Sequence, residues 1–166
     1  MLFKKFFILI LFILFSFSAS DNTPRSNGKY KNWQSFTAPT DKGKICFAQT
    51  IPTKRAPASI KREKSKLFVT FRPSENIKDE VSMTSGHDYK SSTVTASSGK
   101  KRYSFFSQKN FAWLLDDQEE RGFIKTMKRA TNVIVKARTT KGAETTDHYS
   151  MMGFTKAYNT AKKTCG

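Results

Sequence analysis

Residues that most often build active sites are scarce in this sequence. Its 166 residues include two histidines, two cysteines and 13 acidic residues. The cysteines, Cys46 and Cys165, lie far apart, which excludes the short paired spacings of zinc modules. No Gly-x-Ser-x-Gly nucleophile elbow occurs. The sequence therefore gives no support to a zinc module or to a hydrolase built around such an elbow.

Both histidines stand beside carboxylates, at His87-Asp88 and at Asp147-His148 with Ser150 nearby. These are residue types of nucleophilic hydrolysis. Adjacent residues of a strand point to opposite faces, however, so Asp147 does not orient His148 by being its neighbour. Carboxylates are also too few, and too concentrated on one predicted helix, for a glycosidase pair. We predict a protein that is not an enzyme and uses neither cofactor nor metal; a small periplasmic hydrolase is the alternative.

Long apolar runs are absent except at the amino terminus. Lys4 and Lys5 precede the apolar run 6–17, and Ser18-Ala19-Ser20 places small residues where a signal peptidase cleaves. A membrane-spanning helix needs roughly 20 apolar residues, and this run has about 12. We predict a signal peptide over residues 1–20, cleavage after Ser20, and a periplasmic or extracellular protein.

The predicted compartment decides how the two cysteines are interpreted. Outside the cytosol, a chain with one pair of cysteines usually joins them. A Cys46–Cys165 bridge would close a loop of about 120 residues, which the chain-entropy model values at about 4 to 5 kcal/mol. Two free thiols are the alternative if the chain is not exported. Helical spacing after Gly153 defines one apolar stripe, which we expect to face the core: Phe154, Ala157, Tyr158, Ala161 and Cys165.

Negative charge is in short supply, with 13 acidic residues against 30 Lys and Arg. The net charge of +17 becomes +15 once Lys4 and Lys5 leave with the signal peptide, which predicts attraction to anionic surfaces. An exported protein does not normally meet its own cell's nucleic acid. The expected partners are anionic envelope components or a host-cell surface, with peripheral membrane contact. AT-rich coding also favours Lys and Phe, so a purely compositional explanation stays open.

The most basic stretch is a predicted long loop, residues 51–66. Pro52 and Pro57 interrupt any strand pattern there, and loops of this length are functional or mobile. Long cationic side chains on such a loop would reach a polyanion without disturbing the folded core. The candidate anion-binding residues are Lys54, Arg55, Lys61, Arg62, Lys64 and Lys66.

Short strands separated by turn signals account for most of the remaining chain. Asp116 and Glu119 form a capping box at the start of a helix, and the carboxy-terminal stripe indicates a second helix. The pattern predicts one antiparallel β-sandwich domain over residues 32–166, after a flexible polar leader over 21–31. The predicted strands are 33–38, 44–50, 67–71, 80–85, 93–96, 102–108, 111–114 and the two strands of a final hairpin.

The register of that hairpin depends on its turn. Apolar and polar residues alternate over 132–138, and Gly142 is free to adopt the positive φ of a tight turn. If Lys141 and Gly142 are the two central residues, Lys136 lies opposite Asp147. A three-residue loop would shift this register by one.

Short motifs are spread along the chain from Trp33 to Cys165. They are Ile45-Cys46, Val69-Thr70-Phe71-Arg72-Pro73, Glu80-Val81-Ser82, Ser85-Gly86 with Tyr89-Lys90, Phe111-Ala112-Trp113, Thr145-Thr146-Asp147-His148-Tyr149-Ser150, Gly153-Phe154-Thr155 and the final cysteine. Together they resemble the invasion-associated locus B family of bacterial exported proteins. The sequence departs from that family at His148, where a small hydroxyl residue is expected, and in its high positive charge.

This resemblance implies an immunoglobulin-like sandwich, export to the periplasm or beyond, and a link to host-cell invasion in pathogenic members. It implies no catalytic residues. We therefore expect a non-catalytic envelope or host-surface interaction module. An envelope-maintenance factor without a host partner is a further alternative.

Overall fold

Eleven strands and two helices are present in the computed structural model, which describes residues 23–165. The predicted signal peptide lies outside the described residues. The elements are β1 (Arg25–Tyr30), β2 (Trp33–Thr40), β3 (Gly43–Thr50), β4 (Lys54–Ala56), β5 (Lys66–Arg72), β6 (Ile77–Thr84), β7 (Val94–Ser98), β8 (Lys101–Gln108), β9 (Phe111–Trp113), α1 (Asp117–Arg129), β10 (Asn132–Arg138), β11 (Glu144–Ser150) and α2 (Phe154–Cys165). A single 3₁₀ turn, Pro73–Glu75, joins β5 to β6.

The strands form one antiparallel sheet in the order β1-β2-β3-β5-β6-β9-β8-β7-β10-β11-β4. Strand β8 belongs to two parts of it, because residues 101–105 pair with β7 and residues 106–108 pair with β9. We call β1, β2, β3, β5, β6 and β9 the first half, and β8, β7, β10, β11 and β4 the second half. The predicted antiparallel β fold with two helices is confirmed, and a sandwich-like arrangement fits this sheet.

Both helices pack against the sheet, α2 on β1, β2, β3 and β5, and α1 on β6 and β8. The ring centroids of Trp33 and Phe154 are 4.7 Å apart, and those of Phe71 and Tyr158 are 5.6 Å apart. Every member of the predicted helical stripe is buried, so that prediction is confirmed. The face of the sheet that packs on the helices is the inner face, and the opposite face is the outer face.

Strand β1 lies where we expected a leader without a fold of its own, so the prediction for residues 21–31 is wrong for Arg25–Tyr30. Its sequence has no apolar alternation. Backbone pairing with β2 holds it instead, and the Tyr30 hydroxyl lies 2.9 Å from the Thr160 hydroxyl of α2. An edge strand held by backbone hydrogen bonds leaves little trace in a hydropathy pattern.

The final hairpin uses the three-residue loop. Val135, and not Lys136, lies opposite Asp147, so the two-residue turn is wrong and its alternative is confirmed. The Thr139 N–H donates to the Ala143 carbonyl at 2.9 Å, and Gly142 has a φ of 87°. Asp147 consequently lies on the inner face of β11 and is 1% exposed, which requires a partner inside the protein.

Candidate functional site

The two cysteines form the predicted disulfide. Cys46 on β3 and Cys165 at the end of α2 have Cα atoms 5.7 Å apart and are separated by 119 residues. Cys46 is fully buried, and Thr37 Oγ1 lies 3.5 Å from its sulfur. The bridge ties the last helix to the middle of the first half.

The basic stretch is not an irregular loop throughout. Its residues Lys54–Ala56 form β4, which pairs with the edge of β11 and places Arg55 opposite Asp147. Farther along, the Glu63 N–H donates to the Gly86 carbonyl at 2.8 Å. Gly86 has a φ of +74°, and a Cβ there would lie 2.0 Å from the Glu63 carbonyl oxygen, so this contact requires glycine. We call residues 54–66 the basic strap.

Arg62 anchors the strap inside the protein. Its side chain is 2% exposed and holds Asp147 with two hydrogen bonds, Nη2 to Oδ1 at 2.6 Å and Nη1 to Oδ2 at 2.9 Å. Nη1 also donates to the Ser85 carbonyl at 2.9 Å. This is the bidentate geometry in which arginine binds a carboxylate most strongly. Arg62 is therefore removed from the predicted anion-binding set, because its charge is buried and already paired.

Arg55 is also engaged within the strap. Its guanidinium donates to the Glu63 carbonyl, and Nε lies 3.9 Å from Asp147 Oδ1, with the side chain 33% exposed. Four of the six predicted residues remain available to solvent. Lys54, Lys61 and Lys64 are exposed, and Lys66 is half-buried.

Cations outside the predicted set project from the outer face of the second half, on the same face as the predicted Lys54. Lys54 lies opposite His148 on β11, and the same outward alternation exposes residues of β8 and β10. Residues 89–115 and 121–143 contain 12 Lys and Arg and no acidic residue. We call the following set the basic face: Lys54, Arg102, Lys136 and Arg138. Alternation within the predicted strands 102–108 and 132–138 was enough to find Arg102, Lys136 and Arg138, whereas Lys54 lies on β4, which the sequence did not predict.

The histidines do not form a catalytic group with their neighbouring acids. Asp147 faces inward, whereas His148 faces outward opposite Lys54. His87 Nε2 lies 2.9 Å from Thr145 Oγ1, and its Nδ1 lies 3.0 Å from the Asp88 backbone carbonyl oxygen. Within residues 23–165 no three His, Cys, Asp or Glu side chains are placed to hold a metal ion. No helix in the same range is long and apolar enough to cross a membrane.

Glu120 is a buried acid that the sequence analysis missed. It is 7% exposed, and its Oε1 accepts the Val81 N–H at 2.9 Å. Burial raises the pKa of Glu120 to about 7, with help from the charges of Glu80, Asp117 and Asp79. The carboxyl borders a cavity of about 570 Å³. A signal did exist, because residue 120 falls on the helical stripe of the buried residues Phe123, Ile124 and Met127.

Comparisons with known proteins identify no relative: no protein-family model, no curated protein and no solved structure matches this chain.

Proposed function

We propose that the protein is an exported, non-catalytic interaction module of the invasion-associated locus B type, with the immunoglobulin-like sandwich that this resemblance implies. It binds an anionic envelope component or a host-cell surface. The lysines of the strap and the residues of the basic face make the contact.

The observation that carries this proposal is the exposed positive charge on the outer face. Within residues 23–165, Lys54 and Arg102 have no carboxylate within 4.0 Å. Lys136 and Arg138 share a single exposed carboxylate, Glu144, at 3.5 and 3.8 Å. Exposed pairs of this kind contribute little, so these cations stay available to another polyanion.

A charge-removal series tests the proposal. The test variant replaces Lys54, Arg102 and Lys136 with Gln, and the control replaces three exposed helix lysines, Lys125, Lys156 and Lys163, with Gln. Each cation near an anionic surface contributes about 1 kcal/mol, so the test variant should bind about 100-fold more weakly. The control should change affinity far less. The measurements are sedimentation with phosphatidylglycerol vesicles and titration with an acidic polysaccharide.

Salt provides the second arm of this experiment. Because the contacts are exposed, binding of the parent should weaken steeply between 20 mM and physiological salt, where the screening length is about 8 Å. If the test variant binds as tightly as the parent, or if the parent binds neither probe at low salt, the proposal fails. The charge is then a consequence of composition, as an envelope-maintenance factor without a charged partner would allow.

A further inference from the structure

An aromatic groove of about 370 Å³ crosses the outer face of the first half. Phe68 on β5 and Trp113 on β9 stand on its two sides, and the residue that pairs with both across β6 is Ser82. Neighbouring strands lie about 4.8 Å apart, so the two ring-bearing positions are roughly 10 Å apart with a small side chain between them. We call the gap over Ser82, between Phe68 and Trp113, the slot.

The aromatic side chains of the groove are not part of the buried core. The outer face of an antiparallel sheet usually carries polar residues, yet here rings project from neighbouring strands. Phe47 stacks on Phe36 with centroids 5.3 Å apart and meets Phe68 edge-on at 6.2 Å. Phe111 stacks on Trp113 at 5.8 Å. The rings contact one another and form an apolar surface that is partly open to solvent.

The groove also contains polar groups. Ser82 and Thr70 line it and are 6% and 8% exposed. The Arg72–Glu80 ion pair adds a donor and an acceptor to the lining. A lipid acyl chain would cover the partly exposed Arg72 and Glu80 side chains without giving them hydrogen bonds, which is unfavourable. A ligand with apolar ring faces and hydroxyl groups at its rim satisfies both parts of the lining.

Positive charge adjoins the groove. Lys66 projects from the same face of β5, with Nζ 5.9 Å from the centroid of Phe68. The outer face also continues along β8, from Phe106 opposite Trp113 to Arg102 of the basic face. A polymer seated in the groove therefore has Lys66 beside it, and a negatively charged polymer is the complementary one.

We propose that this groove binds the sugar rings of an acidic polysaccharide, by stacking a ring between Phe68 and Trp113 while Lys66 and the basic face hold its anionic groups. The proposal rests on the proposed function and narrows its ligand to a sugar polymer. Stacking supplies selectivity for rings, and the cations supply attraction that any polyanion would share.

Three probes separate these two contributions: polygalacturonate, which has acid groups and sugar rings; polyglutamate, which has acid groups only; and phosphatidylglycerol vesicles. Trp113→Ala should weaken polygalacturonate binding about tenfold, a typical loss for an aromatic side chain at a binding hot spot. It should leave polyglutamate binding within twofold of the parent. Trp113→Tyr, which keeps a ring, should restore most of the affinity.

Two further variants, a second test and a negative control, check this result. Ser82→Tyr fills the slot without removing either wall and should reproduce the polygalacturonate loss. Ile51→Ala removes an exposed apolar side chain elsewhere, 58% exposed, and should have no effect. Trp33 is fully buried and Trp113 is half-buried, so polygalacturonate should alter the fluorescence of the Trp33→Phe variant, whose remaining tryptophan is in the groove.

The outcomes distinguish the two proposals. If Trp113→Ala and Ser82→Tyr bind polygalacturonate as the parent does, the groove is not the site, although the proposed function stands. If Trp113→Ala weakens vesicle binding as much as polygalacturonate binding, the aromatic face serves a membrane and the sugar proposal is overturned. If the parent binds none of the three probes at low salt, the proposed function itself fails.

Discussion

Two connections join residues far apart in the sequence, one in each half of the sheet, and they use different chemistry. In the first half a covalent bond joins Cys46 to Cys165, 119 residues apart. In the second half a buried ion pair joins Arg62 to Asp147, 85 residues apart. The disulfide holds α2 in place, and the ion pair holds the basic strap.

The disulfide and the ion pair differ in whether they act on the unfolded or the folded state of the protein. A disulfide stabilises mainly by restricting the unfolded chain. A buried ion pair acts in the folded protein, and loss of one partner leaves an uncompensated charge in a place with little water. A cation counted in the sequence as surface charge can therefore be part of the interior, as Arg62 is.

The largest effect should come from breaking the ion pair. We expect Asp147→Ala to lower the free energy of unfolding by about 3 to 5 kcal/mol, because the Arg62 guanidinium would stay buried without its carboxylate. Urea denaturation measures this. Glu144→Ala is the matched control, because it removes an exposed carboxylate from the same strand and should cost under about 1 kcal/mol.

A double variant sharpens this test. Arg62→Met with Asp147→Leu replaces both charges by apolar side chains of similar size, which should recover much of the stability lost in Asp147→Ala. Equal losses in the single and double variants would mean that the strap is held by the shape of these side chains and not by their charges.

Removal of the covalent connection should have the next largest effect. Cys165→Ser should lower the free energy of unfolding by roughly 2 to 5 kcal/mol, the usual loss for a native bridge in a secreted domain. The parent protein in a reductant should unfold like this variant, whereas a reductant should leave the Asp147→Ala loss unchanged. Two free thiols in the mass spectrum of the non-reduced protein would contradict the pairing.

A smaller effect on stability should depend on pH, because the Glu120 carboxyl is buried. The pKa of Glu120 rises from its ordinary 4.5 to about 7 in the folded protein. The folded state then holds this proton more tightly, so stability should fall as the pH rises from about 4.5 to about 7 and level off outside that window. Glu120→Gln should remove this slope and leave the protein more stable than the parent at pH 8, because the glutamine amide carries no charge to bury.

Urea midpoints measured from pH 4 to pH 8 test this expectation. Glu119→Gln is the control, since Glu119 is exposed on the same turn of α1. If the parent and Glu120→Gln show the same pH dependence, the pKa of Glu120 is the same in the folded and unfolded states, which contradicts the expected rise.

The sequence predicted those parts of the fold that leave a periodic pattern. Alternation located β2, β3, β5, β8 and β10 within a few residues, and helical spacing placed all of α2. It missed β1 and β4, because both are edge strands held by backbone pairing and neither alternates. It also assigned Arg62 to the surface, because only the pairing of β4 with β11 shows that a buried carboxylate lies within reach. The aromatic groove was equally hidden, since it forms only where β3 and β9 lie on either side of the β5–β6 pair.

The smallest expected effect separates Arg62 from the cations beside it. Lys61 and Lys64 are exposed on the same strap, and Lys61→Ser or Lys64→Ser should each change the free energy of unfolding by less than about 0.5 kcal/mol. Arg62→Ser should destabilise the protein nearly as much as Asp147→Ala, because it leaves that carboxylate buried and unpaired. Parallel urea denaturation of the three variants makes the comparison. Similar losses in all three would mean that the strap is held by its total charge, and the second half would then have no single connection to set against the disulfide.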